Sequence, residues 1–593
     1  MVISLAVLLA YLPTFTGEFI LDDNPLIKDN RHVKGTHSVY SYFAQEDGII
    51  DREDAKGYHT GYYRPLITFS YWLDYKLWGM IPKGFRATNL MLHLLTCFFL
   101  FKLIQFLIND RQAAFWATLL YAIHPVNTES VSWVAARNNI IVTVFVVLSF
   151  YCYVRRWEGG SPWNFIASVF FFALAVFSKE FGLLVLPCIF FYQRFLSGKK
   201  RGLSNEMMSY LPFVLIGVGY FLLRNMVTGS WLTPADAGEL WKRFYFAPYL
   251  VAWNLKVIFF PYDLHSFIIN YPPNHWNYQT FVGFVCITLL GLLAWKARKN
   301  KCVTFSIFSF CVALFPILNI IPTSSVTLMS MRWLYLPMIF VSLAATQLIK
   351  RSVKRNRVLT ITVLSLVLVY CGTHSYVLNK YLWHDEDTFF RQEVWHFDNY
   401  FYAGGLAESL FKKKDYEEAE KYFRVAISRY PKETESYINY SALLVETGRP
   451  QVAISLLERA GSLPMTRRQR GEWHNNMGTA YFTLKKHTQA LKCFRKAITI
   501  FPDRSELQAN LGAAYGAMGD YMNAVSAFIK GLNMAPDSVQ LKRNLAVAYH
   551  RMRNYAEAIS VIEEIPPEKW EEYRIKEVLN RIYMDRKSQR PPA

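Results

Sequence analysis

The sequence predicts an all-α protein in two parts, a polytopic helical domain that lies in a membrane and a helical solenoid that follows it. Hydrophobic residues make up 52% of the 593 residues, yet 19% are charged. This composition is too apolar for a soluble protein and too charged for a chain that is embedded throughout. Long apolar runs fill the region up to residue 378, and a repeat with a period of about 34 residues follows.

The membrane domain, residues 1–378, is predicted from apolar runs of about 17 to 25 residues, the length that crosses a bilayer. About eleven such crossings are expected, near 2–19, 86–108, 112–128, 138–155, 162–178, 181–196, 207–226, 279–296, 303–322, 334–349 and 357–377. The first run lacks a basic segment and a cleavage site, so it predicts a retained helix. We expect the run 244–260 to be re-entrant or interfacial, because a crossing there would turn the basic stretch KARKNK outward.

The net charge of +20 gives the orientation. Basic residues cluster in short loops between the apolar runs, at 155–156, 199–201, 296–301 and 350–357. This is the positive-inside pattern, and it argues against nucleic acid as the partner. All four loops face the same side only if the N-terminus is cytoplasmic. An odd number of crossings then puts the loop after the first helix, and everything after residue 378, on the non-cytoplasmic side.

The solenoid, residues 402–593, is predicted from small residues that recur about every 34 positions. They are Ala407, Ser441, Gly478, Gly512 and Ala546, and each is followed twelve residues later by an alanine. Paired small positions let two helices pack closely, which is typical of tetratricopeptide repeats. We expect about five repeats, a capping helix near 569–585 and a connecting helix at 379–401. Such arrays commonly bind polypeptides, although this sequence names no partner.

Polar residues at the predicted outer membrane face are the candidates for chemistry, because ionisable groups near a bilayer are costly. Asp22 and Asp23 follow the first helix, and Arg64 lies in GYYRPL. The turn between the third and fourth runs adds His124, Glu129 and Arg137, and later loops add Lys179, Glu180 and Arg332. Together these residues predict a cationic cavity with an acidic corner, which suits a lipid-linked phosphate and a proton-accepting base.

Each candidate also has a structural interpretation. Asp22 and Asp23 suit the end of any membrane helix, and Arg64 suits a lipid headgroup anchor. His124 suits a satisfied packing histidine, while Lys179 and Glu180 suit a self-neutralising pair. Arg137 begins an apolar run and therefore requires an anionic partner. The shared location of these groups at one face favours the functional interpretation of the set.

The segments GEFILDDN, YYRPL, AIHPVNTESVSWVAARNN, FSKEFG and RWLYLP, followed by WHDEDTFFR and the repeats, resemble the transmembrane and tetratricopeptide-repeat-containing O-mannosyltransferases and their bacterial relatives. That family lies within the GT-C class of glycosyltransferases. The chain departs from the usual pattern of animal members in reading AARNN after the turn and in its short repeat array. These departures concern the donor sugar and the acceptor, not the reaction class.

The resemblance implies inverting transfer of mannose or a similar sugar from a polyprenyl-phosphate carrier to serine or threonine hydroxyls of a protein held by the repeats. It implies that Asp22 or Asp23 is the catalytic base. Arg64, Lys179, Arg332 and Arg137 would bind the donor phosphate, and His124, Glu129 and Glu180 would shape the donor pocket. No metal ligand is assigned, and a divalent cation, Mg²⁺ or Mn²⁺, stays possible.

Two alternatives stay open at this point. One is a ligase that takes a glycan from a lipid pyrophosphate, which would require more cationic contacts and usually a metal. The other is a membrane scaffold without activity. A bacterial inner membrane with periplasmic repeats is the preferred location, and the endoplasmic reticulum would give the same topology relative to the cytosol.

Overall fold

The computed structural model describes residues 1–35, 39–43, 62–199, 203–229, 237–265, 267–268, 278–320, 327–396 and 400–588. The chain divides into two units, which we call the N-terminal unit, ending at Glu393, and the C-terminal unit, beginning at Val394. Helices form nearly all of the regular structure in both. The described strands are the two-residue segments Phe267–Ile268 and Met329–Ser330, which pair antiparallel.

The N-terminal unit is a bundle of helices joined by tight turns. Its α-helices are Val2–Tyr11, Arg31–Lys34, Val39–Phe43, Pro65–Trp78, Pro82–Ile108, Arg111–Ile123, Thr128–Ser132, Arg137–Trp157, Trp163–Ser178, Val185–Phe191, Leu203–Thr228, Ala237–Phe259, Tyr278–Lys296, Lys301–Leu314, Met338–Arg355, Arg357–Tyr381 and Glu386–Glu393. Short 3₁₀ helices lie at Leu12–Thr16, Pro125–Asn127, Val134–Ala136, Glu180–Leu184, Ala297–Lys299, Phe315–Leu318 and Met331–Leu334. Single π-turns are Asn24–Lys28 and Tyr192–Leu196.

Six helical stretches of the described residues are long and apolar enough to cross a membrane. They are Pro82–Ile108, Val134–Trp157, Glu206–Thr228, Tyr278–Lys299, Lys301–Leu318 and Arg357–Tyr381, and shorter apolar stretches are Val2–Thr16 and Trp163–Ser178. The chain is therefore a membrane protein. The number of eleven crossings and the orientation stay predictions, as does the interfacial placement of 244–260, all of which except Phe260 lies in the helix Ala237–Phe259.

Burial separates the central helix from the outer ones. The stretch Val134–Trp157 is 83% buried within the protein, whereas Tyr278–Lys299 and Arg357–Tyr381 are 11% buried. Apolar side chains on the outer helices are exposed because their surroundings are lipid, not water. The buried helix starts at Arg137, so its N-terminal end brings a charged residue into the interior of the unit.

The C-terminal unit consists of five helical pairs and a last helix. The pairs are Tyr400–Lys412 with Tyr416–Arg429, Thr434–Glu446 with Pro450–Gly461, Arg467–Thr483 with His487–Ile500, Ser505–Ala517 with Tyr521–Met534, and Val539–Arg551 with Tyr555–Glu563. The last helix is Ile575–Ser588.

Small residues in the C-terminal unit lie where the two helices of a pair touch. A Cβ atom added to Gly478 would lie 2.6 Å from the ring of Phe494, and one added to Gly512 would lie 2.6 Å from the ring of Phe528. Larger side chains at these positions would force the paired helices apart. The predicted all-α class, with apolar helices followed by tetratricopeptide repeats, is confirmed.

Candidate functional site

The two adjacent aspartates point into different surroundings. The Asp23 side chain is fully buried, and its carboxylate accepts hydrogen bonds from the backbone N–H of Ile20 at 3.1 Å and of Ala135 at 2.6 Å. Asp22 is exposed, and no hydrogen bond to its carboxylate is seen among the described residues. Asp23 therefore fastens the loop to the turn before Arg137, whereas the carboxylate of Asp22 remains accessible.

Burial by the surrounding protein raises the pKa values of both acids. Burial raises the pKa of Asp23 to about 7, although the Ile20 N–H bond and the nearby charge of Arg86 act against the rise. Closely surrounding protein also raises the pKa of Asp22, and the attraction of Arg332 opposes this. A carboxylate with a raised pKa is a stronger proton acceptor than an ordinary one.

Arg332 faces Asp22 from a turn that Glu129 holds in place. Glu129 is fully buried, and it accepts hydrogen bonds from Arg332 Nη1 at 2.8 Å, from the backbone N–H of Arg332 at 3.0 Å and from the hydroxyl of Ser330. The guanidinium also stacks over the ring of Trp133, 4.6 Å from its centroid. Glu129 thus orients the guanidinium of Arg332, whose side chain is 15% exposed and able to meet a ligand.

Lys179 interacts electrostatically with Arg64, Glu180 and Arg332. We call these four side chains the cationic cluster. Arg64 pairs with Glu180 at 3.1 Å and stacks on the ring of Tyr62, while Lys179 Nζ donates to the side-chain oxygen of Asn139 at 2.5 Å. Burial and then the positive charge of Arg64 lower the pKa of Lys179 well below its usual value, with a smaller contribution from Arg332. An anion placed among these cations would relieve their mutual repulsion.

Arg224 joins the cluster, and the sequence did not single it out. It is largely buried in the helix Leu203–Thr228. Burial acts to raise the pKa of Glu180, but the positive charges of Arg64, Arg224 and Lys179 help to hold it below its usual value. The signal available in the sequence was an arginine near the end of an apolar run, in LLRNM, at the same predicted face as the other candidates.

Arg137 lies in a separate, sealed cluster. Its guanidinium donates to Asp74, to the side-chain oxygen of Asn89 at 2.6 Å and to the carbonyl of Phe85 at 2.9 Å, and it is fully buried. The anionic partner that an arginine at this place requires is therefore Asp74, on the helix Pro65–Trp78. The structure does not bring Arg137 together with Arg64, Lys179 and Arg332, and the sequence had not pointed to Asp74.

His124 closes the turn that carries Glu129. Its Nε2 contacts the carbonyl of Ile258 at 3.0 Å, and its Nδ1 accepts from the backbone N–H of Val126 at 3.3 Å. With both ring nitrogens engaged and the side chain buried, this histidine fixes the turn instead of facing the cationic cluster.

The carboxylates of the cluster do not assemble a metal site among the described residues. Glu129 is held by Arg332, and Glu180 is held by Arg64. Three convergent oxygen or nitrogen ligands are the least that a resident Mg²⁺ or Mn²⁺ would ordinarily require from a protein without substrate phosphates. Among the carboxylates of this group in the described part of the chain, Asp22 is the exposed one.

Comparison with known families finds similarity to mannosyltransferases and to tetratricopeptide repeats. Residues 63–223 match the family model described as dolichyl-phosphate-mannose-protein mannosyltransferase, and residues 405–433, 471–504 and 510–572 match models of the tetratricopeptide repeat. The resemblance to the tetratricopeptide-repeat-containing O-mannosyltransferases is confirmed. The mannosyltransferase match begins next to Arg64 and includes Glu129, Lys179 and Glu180.

Curated proteins that are similar to this chain are named protein O-mannosyl-transferases. Protein O-mannosyl-transferase TMTC1 of Homo sapiens is 25% identical over 75% of this chain and 56% of its own length. Protein O-mannosyl-transferase F38B6.6 of Caenorhabditis elegans is 26% identical over 62% of this chain and 54% of its own length. The same TMTC1 protein of Mus musculus is 32% identical over 33% of this chain and 22% of its own length. The chain thus spans about half or less of these relatives.

Among solved structures, a crystal structure of MamA aligns with 29% of this chain and 97% of its own, at 20% sequence identity. The TM-score of 0.25 is too low to carry any argument.

Proposed function

We propose that the chain is a membrane glycosyltransferase that moves mannose from a polyprenyl-phosphate carrier to serine or threonine hydroxyls of a protein. The observation that carries the proposal is the exposed carboxylate of Asp22 opposite Arg332, at the edge of a cluster that also contains Arg64 and Lys179. A base beside a cationic wall is what transfer from a phosphate leaving group requires. The names of the relatives support mannose as the sugar.

Asp22 acts as the base in this proposal. Its carboxylate takes the proton of the acceptor hydroxyl as the oxygen attacks the anomeric carbon of the sugar. The bond from that carbon to the phosphate oxygen breaks, and the electron pair leaves with the carrier phosphate. A single displacement of this kind inverts the anomeric centre. Asp23 is assigned to holding the loop, since both of its oxygens accept backbone hydrogen bonds.

The cationic cluster stabilises the leaving phosphate. Arg332 and Lys179 gain an anionic partner as negative charge develops on the carrier, and Arg64 adds a second guanidinium that Glu180 keeps in position. These donors are placed in advance, so no reorganisation is needed when the bond breaks. Arg137 is left out of the phosphate site, because Asp74 already neutralises it. A divalent cation could still arrive with the phosphate, held in part by the carrier itself.

The remaining parts of the proposal concern place and acceptor. The positive-inside pattern supports reaction at the non-cytoplasmic face, which is the periplasmic face in a bacterial inner membrane and the lumenal face in the endoplasmic reticulum. The tetratricopeptide repeats would hold the acceptor protein. Removal of residues 402–593 should then reduce transfer to a protein acceptor more than transfer to a short peptide.

The proposal is tested with purified protein, polyprenyl-phosphate-mannose and a serine- and threonine-containing acceptor, with protein-linked sugar followed by mass spectrometry. The wild-type chain should transfer mannose, and Asp22→Asn should lower kcat about 1,000-fold, within the range that a positioned base contributes. Asp22→Asn should insert into the membrane normally, because the side chain makes no hydrogen bond that the fold depends on among the described residues.

The same assay separates the alternatives. Turnover with a lipid-pyrophosphate glycan but not with the monophosphate donor would replace the proposal by the ligase reaction. Absence of transfer from either donor, with correctly inserted protein, would leave the scaffold. Full activity in Asp22→Asn would remove Asp22 from the role of base.

A further inference from the structure

Glu386 reaches back from the helix Glu386–Glu393 to the loop that carries Asp22. Its Oε1 accepts a hydrogen bond from the backbone N–H of Leu21 at 3.1 Å and another from Asn24 Nδ2 at 2.9 Å. These two donors flank the aspartate pair on either side. One carboxylate oxygen therefore fixes both ends of a four-residue stretch, although 362 residues of sequence separate Asn24 from Glu386.

The backbone between these contacts is in an unusual conformation. Leu21 has φ of +50°, in the left-handed region that residues with a Cβ atom rarely adopt. A strained conformation at a functional position persists only when its surroundings enforce it. The N–H of Leu21 bonds to Glu386, and the next residue is Asp22, so the Glu386 contact enforces the turn that sets the direction of the Asp22 side chain.

A second set of contacts joins the same two segments. Arg86 is fully buried, and its guanidinium donates to the carbonyls of Thr14, Glu18 and Trp383. The backbone N–H of Glu18 also donates to the carbonyl of His384 at 2.8 Å. The stretch from Thr14 to Asn24 is thereby attached along its length to residues 383–386, which follow the last membrane helix.

Trp133 connects the loop that carries Asp22 to the turn that carries Arg332. Its indole N–H donates to the carbonyl of Ile20 at 3.3 Å, and its ring lies under the guanidinium of Arg332. Its other neighbour is Trp383, whose ring is stacked at 6.1 Å between centroids. The guanidinium of Arg332 is thus supported by Trp133 and Glu129, through contacts that do not involve the Glu386 side chain.

We propose that Glu386 is a positioning residue, and that its hold on Leu21 and Asn24 keeps the Asp22 carboxylate directed at the reacting centre. The inference rests on the proposed function for the identity of that centre. It assigns a role to WHDED, the sequence that leads out of the membrane domain. Loss of the contact should leave donor binding intact and slow the chemical step, because the cations that bind phosphate lie on other segments.

Kinetic analysis of Glu386→Ala in the full-length chain is the first test. We expect kcat to fall about 100-fold, the effect of a misplacement near 1 Å at a reacting group. The donor KM should change less than threefold. Glu386→Gln retains an oxygen that can accept from both donors, so it should keep at least a third of the wild-type kcat. Asp387→Asn is the matched control, since Asp387 on the same helix pairs with Arg391, and it should behave as wild type.

Hydrogen exchange provides a readout that does not depend on activity. The amides of the peptide that contains Leu21 should exchange at least tenfold faster in Glu386→Ala than in wild type, and at the wild-type rate in Asp387→Asn. Leu21→Asn should restore part of the kcat of Glu386→Ala, because asparagine tolerates the left-handed conformation better than leucine.

Two outcomes would overturn the inference. The first is an unchanged kcat and unchanged exchange in Glu386→Ala. The second is an equal loss in Glu386→Ala and Glu386→Gln with a raised donor KM, which would indicate a general disturbance of the site. A wild-type chain that transfers no sugar would defeat the proposed function instead, and the exchange experiment would still decide whether Glu386 holds the loop.

Discussion

Two arginine and carboxylate pairs in the N-terminal unit have the same chemistry and opposite surroundings. Arg137 and Asp74 are sealed, with side chains that are 0% and 2% exposed. Arg332 and Glu129 form the open pair, in which the glutamate is fully buried while the arginine side chain reaches the surface. The guanidinium of the sealed pair also donates to the side chain of Asn89 and to the carbonyl of Phe85. The open pair lies beside the exposed Asp22 and close to Lys179.

The contrast shows how a charge that only stabilises the fold can be distinguished from one that is available to a ligand. A charge at membrane depth needs a partner whatever its purpose, so the presence of Arg137 in an apolar helix does not indicate a ligand. The useful observation is a charge whose side chain is partly exposed. Arg64 and Arg332 have side chains that are 12% and 15% exposed, and their positive charge suits an incoming phosphate.

We expect the largest loss of stability from Arg137→Met, which removes the arginine of the sealed pair. Removal of one partner from a buried pair leaves an uncompensated charge on Asp74, and such changes destabilise proteins by about 3 to 5 kcal/mol. Thermal unfolding in detergent should show the loss. Adding Asp74→Leu in the same chain should recover at least half of it, together with the activity per folded molecule. If the double variant is stable but has lost donor binding, Arg137 contacts the donor after all.

The open pair should respond in the opposite way. Arg332→Gln should raise the donor KM by about 10- to 100-fold, the loss expected when one charge-assisted contact to phosphate disappears. The melting temperature should change less than in Arg137→Met, because Ser330 and the backbone N–H of residue 332 still bond to Glu129. Titration of initial rate against donor concentration measures the effect. An unchanged donor KM would place Arg332 among the structural residues.

The pH dependence of stability tests the raised pKa of Asp23, the buried member of the aspartate pair. Its pKa is raised from 3.8 to about 7 in the folded chain. Between about pH 4 and pH 7 the unfolded chain is ionised at this position while the folded one holds the proton, so stability falls as the pH rises through that window. Above pH 7 this contribution is constant.

Asp23→Asn should lack this fall, and chemical denaturation at pH 5 and pH 7.5 would show it as a smaller difference between the two pH values than in wild type. The loss of an acceptor for one backbone N–H will lower the stability of the variant at both. Identical pH profiles in the two proteins would mean that Asp23 ionises at its ordinary pKa when folded.

The smallest effect concerns Lys179. Its pKa is lowered by burial and by Arg64, and the single negative charge of a bound donor phosphodiester would favour the protonated amine again. Donor affinity should therefore weaken as the pH rises above the lowered pKa of the unliganded site. In Lys179→Arg the guanidinium stays charged, so the donor KM should depend less on pH. A wild-type donor KM that is flat from pH 6 to pH 9 would contradict this assignment.

Much of the arrangement could be predicted because its signals are local. A run of apolar residues has to be a helix in a bilayer, and the recurrence of Gly478 and Gly512 after 34 residues has to place small atoms at a repeated contact. The shared face of Arg64, Lys179 and Arg332 stays a prediction, which rests on alternating crossings that assign each loop to a side. The counting of loops needs no knowledge of which helices are neighbours.

The partners of these residues could not be predicted in this way. The sequence analysis singled out neither Asp74, which pairs with Arg137, nor Arg224, which lies near Glu180. The sequence also left open which of the two aspartates is accessible. Neighbouring side chains in a turn point in different directions, and distant segments decide which of them is buried. The contact between Asp23 and the N–H of Ala135 is an example that spans 112 residues.

The sequence by itself determined the all-α class, with apolar helices followed by repeats, and the family resemblance, while the gathering of charged residues at one membrane face stays a prediction from it. Those features follow from hydrophobicity, period and order along the chain. The tertiary structure decided that Arg137 is neutralised by Asp74, that Asp23 is buried while Asp22 is exposed, and that Glu386 bonds to the residues on either side of the aspartate pair. The physical reason is that burial and hydrogen bonding depend on which segments meet in space, and that pairing is set by the packing of the whole N-terminal unit.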